Sequence, residues 1–347
     1  MARTAVVIFN LGGPDSLEAI KPFLFNLFND PSIIRQPRPL RWLIAKLISA
    51  RRTLVAKEIY RQIGGRSPIL EETRQQAEAL QKNLGDGDDY RVFVAMRYWR
   101  PFAEDCAAEV KTYGPDRIIL LPLYPQFSTT TTGSFYRAWK IAAAKNGLSS
   151  PMTMVCCYPT EPGLIDATAM QIRSSIKRII QKPVRILFSA HGLPEKFIEA
   201  GDPYQAQIEM TAAAIVYRLK IPDLDHVICY QSRVGPVDWL RPYTDDEIRR
   251  AGRDGVSVIV IPVAFVSEHS ETLVELDIEY AKLAKDVGVP EYIRGATVGV
   301  NQDFIQGLAR LVQSVGSHEI VSGIGQKLCP DAFGACAYSQ AGAPSSG

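Results

Sequence analysis

His191 and the acidic run that begins near residue 267 are the side chains of this sequence best suited to moving protons and cations. Of the four histidines, His191 is the one set between an apolar stretch, 184–190, and a Gly-Leu-Pro turn. A histidine at the end of a strand points into the crevice above its sheet, and imidazole titrates close enough to neutrality to accept protons there. A partly buried histidine capping the next helix is the plainer alternative. The second group is Ser267-Glu268-His269-Ser270-Glu271-Thr272-Leu273-Val274-Glu275-Leu276-Asp277. Glu271 and Glu275 are four residues apart, so a helix sets both on one face, where like charges repel unless a proton or cation lies between them. Acids favour the first turn of a helix, which accounts for Glu268 and Glu271 but not for Glu275. Carboxylate plus imidazole is a ligand set of intermediate softness, suited to Fe(II), Zn(II) and related ions, and it also relays protons. The expected arrangement is His191 and Glu271 on opposite sides of one slot, contributed by separate halves of the molecule. No nucleophile stands between them, and no G-x-S-x-G elbow occurs, which argues against a hydrolase.

Side chains so far apart in the chain need a scaffold to bring them together. Apolar runs of strand length fall at 5–10, 91–98, 117–124, 152–158, 184–190, 226–231, 257–263 and 296–300, with few charges, as strands covered on both faces require. Amphipathic stretches at 71–84, 102–113, 164–180, 204–218 and 270–287 separate them. Alternating strands and helices give parallel sheets with right-handed crossovers. The pattern also repeats: "NLGGPDS" at 10–16 matches "SAHGLPE" at 189–195, "FVAMRYWRP" at 93–101 matches "VICYQSRVGP" at 227–236, and "IILLPLYPQFSTTTT" at 118–132 matches "VIVIPVAFVSEHSET" at 258–272. The expected fold is therefore α/β, with two Rossmann-like halves, each a four-stranded parallel sheet flanked by helices, around a central cleft. The halves are placed at 1–150 and 151–320, with the last helix of the second packing on the first, and 321–347 forming an extended tail. Ligands of such sheets bind at the carboxyl ends of the strands.

Length and composition agree with this. The chain has 347 residues, 46% hydrophobic and 22% charged, which suits two domains of ordinary globular type. A net charge of +2 does not point to nucleic acid as a partner. No uncharged apolar run reaches the length of a membrane span, and the N-terminus lacks the long apolar region of a signal peptide, so the chain is expected in the cytoplasm. Gly12-Gly13 lacks the spacing of a dinucleotide turn, and no P-loop is present. Ser128–Thr132 with Gly133 reads equally as an anion cradle or as a capped helix start. Residues 39–59 carry an apolar helical stripe, Leu40, Leu43, Ile44, Leu47 and Ile48, beside Arg41, Lys46, Arg51, Arg52 and Lys57. With Phe23, Phe25, Phe28 and Trp42 close by, this surface suits a flat apolar ligand bearing carboxylates, or a membrane surface. A helix packed on the core with solvated charges is the commoner meaning of such a stripe.

Together these segments resemble the ferrochelatases. The resemblance runs from residue 10 to about 313 and is carried by "NLGGP" at 10–14, "YRQIGGRSPI" at 60–69, "MRYWRP" at 96–101, "LPLYPQFSTTTTGS" at 121–134, "SAHGLPE" at 189–195, "YQSRVGPVDWLRPYTDDEI" at 230–248 and "IPVAFVSEHSETLVELDIEY" at 261–280. It implies insertion of Fe(II) into protoporphyrin IX, with His191 and Glu271 as catalytic and metal-side residues and His269 and Glu275 as supporting polar groups. It further implies porphyrin contacts at Leu11, Arg52, Ser67, Arg97, Tyr98, Trp239 and Phe265, and an apolar lip at about 20–60 that rests peripherally on membranes in some members. Some relatives hold a [2Fe–2S] cluster through three cysteines near the C-terminus and one from mid-chain. Here the tail offers only Cys329 and Cys336, and Ser128–Thr130 stand at the mid-chain position, so a cluster would need Cys106, Cys156, Cys157 or Cys229 and is not the expected reading. Related readings are insertion of cobalt or nickel, coproporphyrin or sirohydrochlorin as the acceptor, and a porphyrin or haem carrier without turnover. A carrier would have no use for the His191–Glu271 pairing.

Overall fold

The computed structural model describes residues 3–85, 89–316, 318–330 and 332–341. Its strands are β1 (Thr4–Asn10), β2 (Tyr90–Met96), β3 (Arg117–Pro122), β4 (Met152–Val155), β5 (Val184–His191), β6 (His226–Gln231), β7 (Ser257–Pro262), β8 (Tyr292–Arg294) and β9 (Ile320–Val321). The helices are α1 (Ile20–Phe28), α2 (Arg38–Arg61), α3 (Ile69–Leu84), α4 (Ala103–Tyr113), α5 (Thr132–Lys145), α6 (Pro162–Arg178), α7 (Glu195–Glu199), α8 (Tyr204–Leu219), α9 (Thr244–Asp254), a π-helix at Glu271–Tyr280, α10 (Ala281–Asp286), α11 (Gln302–Ser314) and α12 (Ala337–Ala341).

The strands form two parallel sheets, ordered β2-β1-β3-β4-β9 and β6-β5-β7-β8. The first four strands of the one and the four strands of the other thus share a single order, which is the internal repeat read from the sequence. The likeness extends to the loops. Met96 N–H donates to Pro101 O at 2.6 Å in the first half, and Tyr230 N–H donates to Pro242 O at 2.9 Å in the second. The counterpart of Pro101 is therefore Pro242, not Pro236 as the aligned segments propose. β1, β3, β5 and β7 are buried along most of their length, as apolar strands under helices on both faces must be.

Three expectations are corrected. The division after residue 150 falls one strand too early, because β4 pairs with β3 at Ile118–Met152 and Leu120–Met154 in the first sheet. That sheet gains a fifth strand when β9, from the expected tail, pairs with β4; residues 342–347 of that tail lie outside the described residues. The segment 296–300 is not a strand: Thr297 N–H is taken by the Glu268 carboxylate and Gly299 N–H by Val266 O, while β8 precedes it. The last long helix, α11, does pack on the first half, its Phe304, Ile305 and Leu308 sharing a core with Val6 and Ile8 of β1.

The turn after β1 comes close to the turn after β2, and Gly12 makes this contact possible. Its φ is +82°, and a Cβ there would stand 3.0 Å from Met96 Cβ and 3.1 Å from Trp99 N. Gly12→Ala is expected to lower stability by about 1–3 kcal/mol in urea unfolding, through left-handed strain plus overlap with backbone. An unchanged midpoint would contradict this packing.

Candidate active site

His191 closes β5 at the carboxyl edge of the second sheet. Its Nδ1 lies 2.5 Å from Gly192 O. The carbonyl can only accept, which assigns the proton to Nδ1 and leaves Nε2 facing outward. The residue's own carbonyl accepts from Tyr204 Oη at 3.0 Å, pinning the strand end to α8. Trp239 is drawn against the same turn. A Cβ on Gly192 would meet Gln231 O at 2.9 Å and the Trp239 ring at 3.1 Å, so only glycine admits this approach.

Glu271 opens the π-helix, and its carboxylate stands between two imidazoles. Oε1 is 3.6 Å from His191 Nε2, and Oε2 is 3.3 Å from His269 Nε2. His269 is buried, with Nδ1 3.1 Å from Ser267 O and its N–H donating to Thr272 Oγ1 at 3.0 Å. Phe265 packs edge-on against His269, ring centres 4.5 Å apart, and its ring is 6.5 Å from that of His191; Trp239 is 6.4 Å from His191. Burial alone would raise the Glu271 pKa. The charge of His191, with the hydrogen bond and charge of His269, reverses this and brings it down to about 2.

The expectation of opposite sides and separate halves is overturned. His191 and Glu271 both come from the carboxyl edge of the second sheet, and 3.6 Å between them leaves no room for a flat ring. They stand on one side as a single, partly exposed pair.

The other acids sort by partner. Glu268 and Asp277 both bond Arg294, each at 2.6 Å, and Glu268 also accepts from Thr297 N at 2.9 Å. Glu275 accepts from Ser232 N at 2.8 Å, Tyr280 Oη at 2.9 Å, Gln231 Nε2 at 3.1 Å and the Ser232 hydroxyl. It thereby fastens the loop after β6 to the π-helix. Glu271 alone of the four is aimed at His191. The sequence spacing foresaw an α-helical face, whereas a π-helix forms, a coil of i→i+5 bonds that recurs at functional sites.

The first half holds this loop in place through a residue the sequence reading missed. Gln76 of α3 is fully buried; its amide donates to Val266 O at 2.9 Å and Gly299 O at 3.1 Å, and its oxygen accepts from Ser267 Oγ at 2.9 Å. Its signal was available: Thr73 and Gln76 are polar residues on the apolar face formed by Ile69, Ala77 and Leu80. Tyr60 at the end of α2 makes a second link, accepting from Ser270 Oγ at 3.4 Å. Burial first, and then the Glu271 charge, push the Tyr60 phenol up to about 12, against the effect of the Ser270 bond.

The residues expected to contact porphyrin fall into two groups. Trp239 and Phe265 surround His191, as described. On the first half Leu11, partly buried, packs on the cluster of Ile20, Phe23, Leu24, Tyr60 and Tyr98. Arg52 is half-buried over the Phe28 ring, 6.0 Å from its centre. Ser67 N–H donates to Pro14 O at 2.8 Å, holding it under the Gly12-Gly13 turn. Arg97 is partly exposed, but Tyr98 has no exposed surface and supports the lip from beneath.

The cysteines gather in a way their spacing conceals. Cys156 and Cys157 have sulfurs 3.5 Å apart, Cys329 accepts from Gln207 Nε2 at 3.1 Å, and Cys329 hydrogen-bonds Cys336. Cys106 and Cys229 are buried in other parts of the cores. Four thiolates are what a [2Fe–2S] cluster requires. Among the described residues, however, no group of three or more His, Cys, Asp or Glu side chains is placed to hold a metal ion. As placed, the thiols do not fit the cluster.

A sequence model of the family "Ferrochelatase" matches residues 3–315. The chain belongs to the ferrochelatase family. A protein named ferrochelatase from Caulobacter vibrioides is 53% identical over 319 residues, covering 90% of this chain and 91% of its own. One of the same name from Rickettsia bellii is 50% identical over 346 residues, covering 96% and 94%. Among solved structures, SirB from Bacillus subtilis with Fe3+ superposes with a TM-score of 0.54 at 10% identity, covering 90% of this chain and 94% of its own. That likeness shows a shared chelatase fold. The ferrochelatase relatives match the chain across both halves, with about half of their residues identical.

Glu271 owes its low pKa to the two histidines, so its ionised form stabilises the folded chain above about pH 4.5, and that contribution fades as the pH falls towards 2. In His269→Gln, burial is offset by one fewer positive charge, and the Glu271 pKa is expected to rise by more than about one unit. Carboxyl 13C NMR of labelled protein reads this directly, and an unmoved titration would exclude the coupling.

Proposed function

We propose that this chain inserts Fe(II) into protoporphyrin IX, releasing two protons and forming protohaem. The observation that carries the reading is the Glu271 carboxylate held between His191 and His269, with the rings of Phe265 and Trp239 beside His191. Membership of the ferrochelatase family supports the reaction type, and the aromatic and cationic lip supports a flat, acid-bearing acceptor.

Two pyrrole protons must leave as the metal sheds its water. In its neutral form, with the Nδ1 proton committed to Gly192 O, His191 presents the Nε2 lone pair to accept them one at a time, each passing on to solvent from the exposed ring before the next is taken. The imidazolium so formed is stabilised by Glu271. A carboxylate that stays ionised to about pH 2 also draws the incoming cation towards the ring. A planar macrocycle hides its lone pairs, so a site that favours a puckered ring stabilises the transition state above the ground state. Trp239 and Phe265 supply rigid surfaces against which such a ring can be held.

An anaerobic assay with Fe(II) and protoporphyrin IX, read by loss of porphyrin fluorescence, tests the reaction. Arms with coproporphyrin, sirohydrochlorin, cobalt and nickel test the choice of acceptor and ion. His191→Ala and Glu271→Gln are each expected to lower turnover at least about 100-fold while changing porphyrin affinity less than about threefold. Near-normal turnover in either would remove the pair from the mechanism.

The lip also supports a peripheral membrane contact. On α2, Leu43, Leu47 and Leu54 are 48%, 51% and 77% exposed, and Lys46 lies 4.8 Å above the Trp42 ring. No helix among the described residues is long and apolar enough to cross a membrane, so the contact would be with the surface. The double variant Leu43→Glu, Leu47→Glu is expected to sediment with anionic vesicles at least about fivefold less than the parent chain. Equal sedimentation would show that the stripe serves the porphyrin alone.

A further inference from the structure

The loop between α1 and α2, residues 29–37, contains an aspartate that the mechanism above does not use. The Asp30 side chain is 1% exposed. Its Oδ2 accepts from Tyr98 Oη at 2.7 Å, from Arg97 Nη2 at 2.8 Å and from the Ser134 hydroxyl, and its Oδ1 accepts from Ser32 N at 2.8 Å. Its backbone carbonyl takes the N–H groups of Ile33 and Ile34, both at 3.0 Å. A buried carboxylate is costly unless its lone pairs are filled and a positive charge stands beside it. Here both conditions are met by groups from three separate elements: the lip, the end of β2 and the first turn of α5.

The same contacts define what Arg97 is free to do. Its Nη2 is engaged by Asp30 and its Nε by Ser134 Oγ at 2.6 Å, so its charge is already matched before any ligand arrives. Tyr98 is buried beneath the lip, and its carbonyl accepts from Asn26 Nδ2 of α1 at 3.1 Å. Arg97 and Tyr98 are thus tied to the lip through the last turn of α1 and the loop that follows it.

We infer that Asp30 is a positioning residue for the porphyrin: by gathering Arg97, Tyr98 and Ser134 it fixes α1 and α2 over the carboxyl edge of the first sheet, and Arg97 serves this strut rather than a ligand carboxylate. The inference rests on the proposed porphyrin substrate for its kinetic consequence, but the strut itself is read without any substrate. Arg137 extends the strut, donating to the Ser32 hydroxyl and to Thr129 O at 3.1 Å. The Thr129 hydroxyl and N–H both donate to Asp202, each at 2.7 Å, in the second half.

The test compares Asp30→Asn with the parent chain. An amide in place of Oδ2 keeps the Ser32 bond but loses the acceptor shared by Tyr98, Arg97 and Ser134. Hydrogen exchange is expected to quicken at least about tenfold in residues 29–40 and 96–99, with no change in β5 and the π-helix. In the metalation assay the KM for porphyrin is expected to rise about tenfold, with kcat within about twofold and the KM for Fe(II) unchanged. A fall in kcat with an unchanged porphyrin KM would overturn the inference, as would unaltered exchange in both segments. Should Asp30→Asn fail to fold, Ser134→Ala removes one donor and carries the same test, with a smaller shift in the same direction. In a double-mutant cycle, Arg97→Gln is expected to add little to Asp30→Asn; additive losses in porphyrin affinity would return Arg97 to the ligand. If the parent chain fails to metalate porphyrin, the functional reading falls, while the exchange result still decides the strut.

Discussion

A carboxylate drawn partly out of water must be answered by donors and by charge, and at Glu271 two imidazoles are placed to give that answer. Remove them, and burial would drive the group towards its neutral form, unable to draw a cation or to steady a protonated His191. Much of the surrounding structure serves to keep these three side chains within reach. His191 is set by a strand end whose carbonyl is held by Tyr204, and His269 by a loop locked through Thr272. Glu271 sits at the first residue of a π-helix that Glu275 ties to the neighbouring loop.

The pair belongs to one half, yet the other half decides its geometry. Gln76 reaches across from α3 to bond the backbone of the acid-bearing loop at Val266 and of the segment after β8 at Gly299, with no exposed surface of its own. A second amide crossing lies nearby: Gln126 Nε2 donates to Thr211 Oγ1 at 2.9 Å, and Gln207 Oε1 accepts from Phe127 N at 2.8 Å. Buried amides of this kind tolerate only one register, because each donor or acceptor left unmatched costs about 1–3 kcal/mol. They align the halves without introducing charge that would compete with Glu271.

Much of this was legible in the residues and some was not. Apolar runs located seven of the strands to within a few positions, since a strand buried on both faces has a composition no other segment shares. The repeat was visible because corresponding turns need corresponding small and rigid residues. The eighth run, 296–300, misled because its apolar residues line a loop whose N–H groups are spent on Val266 and Glu268. The pairing of His191 with Glu271 could be named from their types and their places after strands. Their lying on one side could not, since spacing fixes the face of a helix but not the angle at which it meets a sheet. Gln76 and Asp30 were passed over for another reason: a polar residue in an apolar stretch shows its worth only when its partners, distant in sequence, are known.

The two sheets share one strand order, and the turns that follow their first strands occupy equivalent places. In one copy that turn carries Gly12-Gly13 and in the other His191-Gly192. The repeat thus presents two similar rims, of which one bears the imidazole–carboxylate pair and the other a tight glycine turn. Such a partition loosens a constraint that binds single-sheet enzymes: the apolar lip and the acid–imidazole pair lie on different copies, and each can drift under selection without dragging the other along.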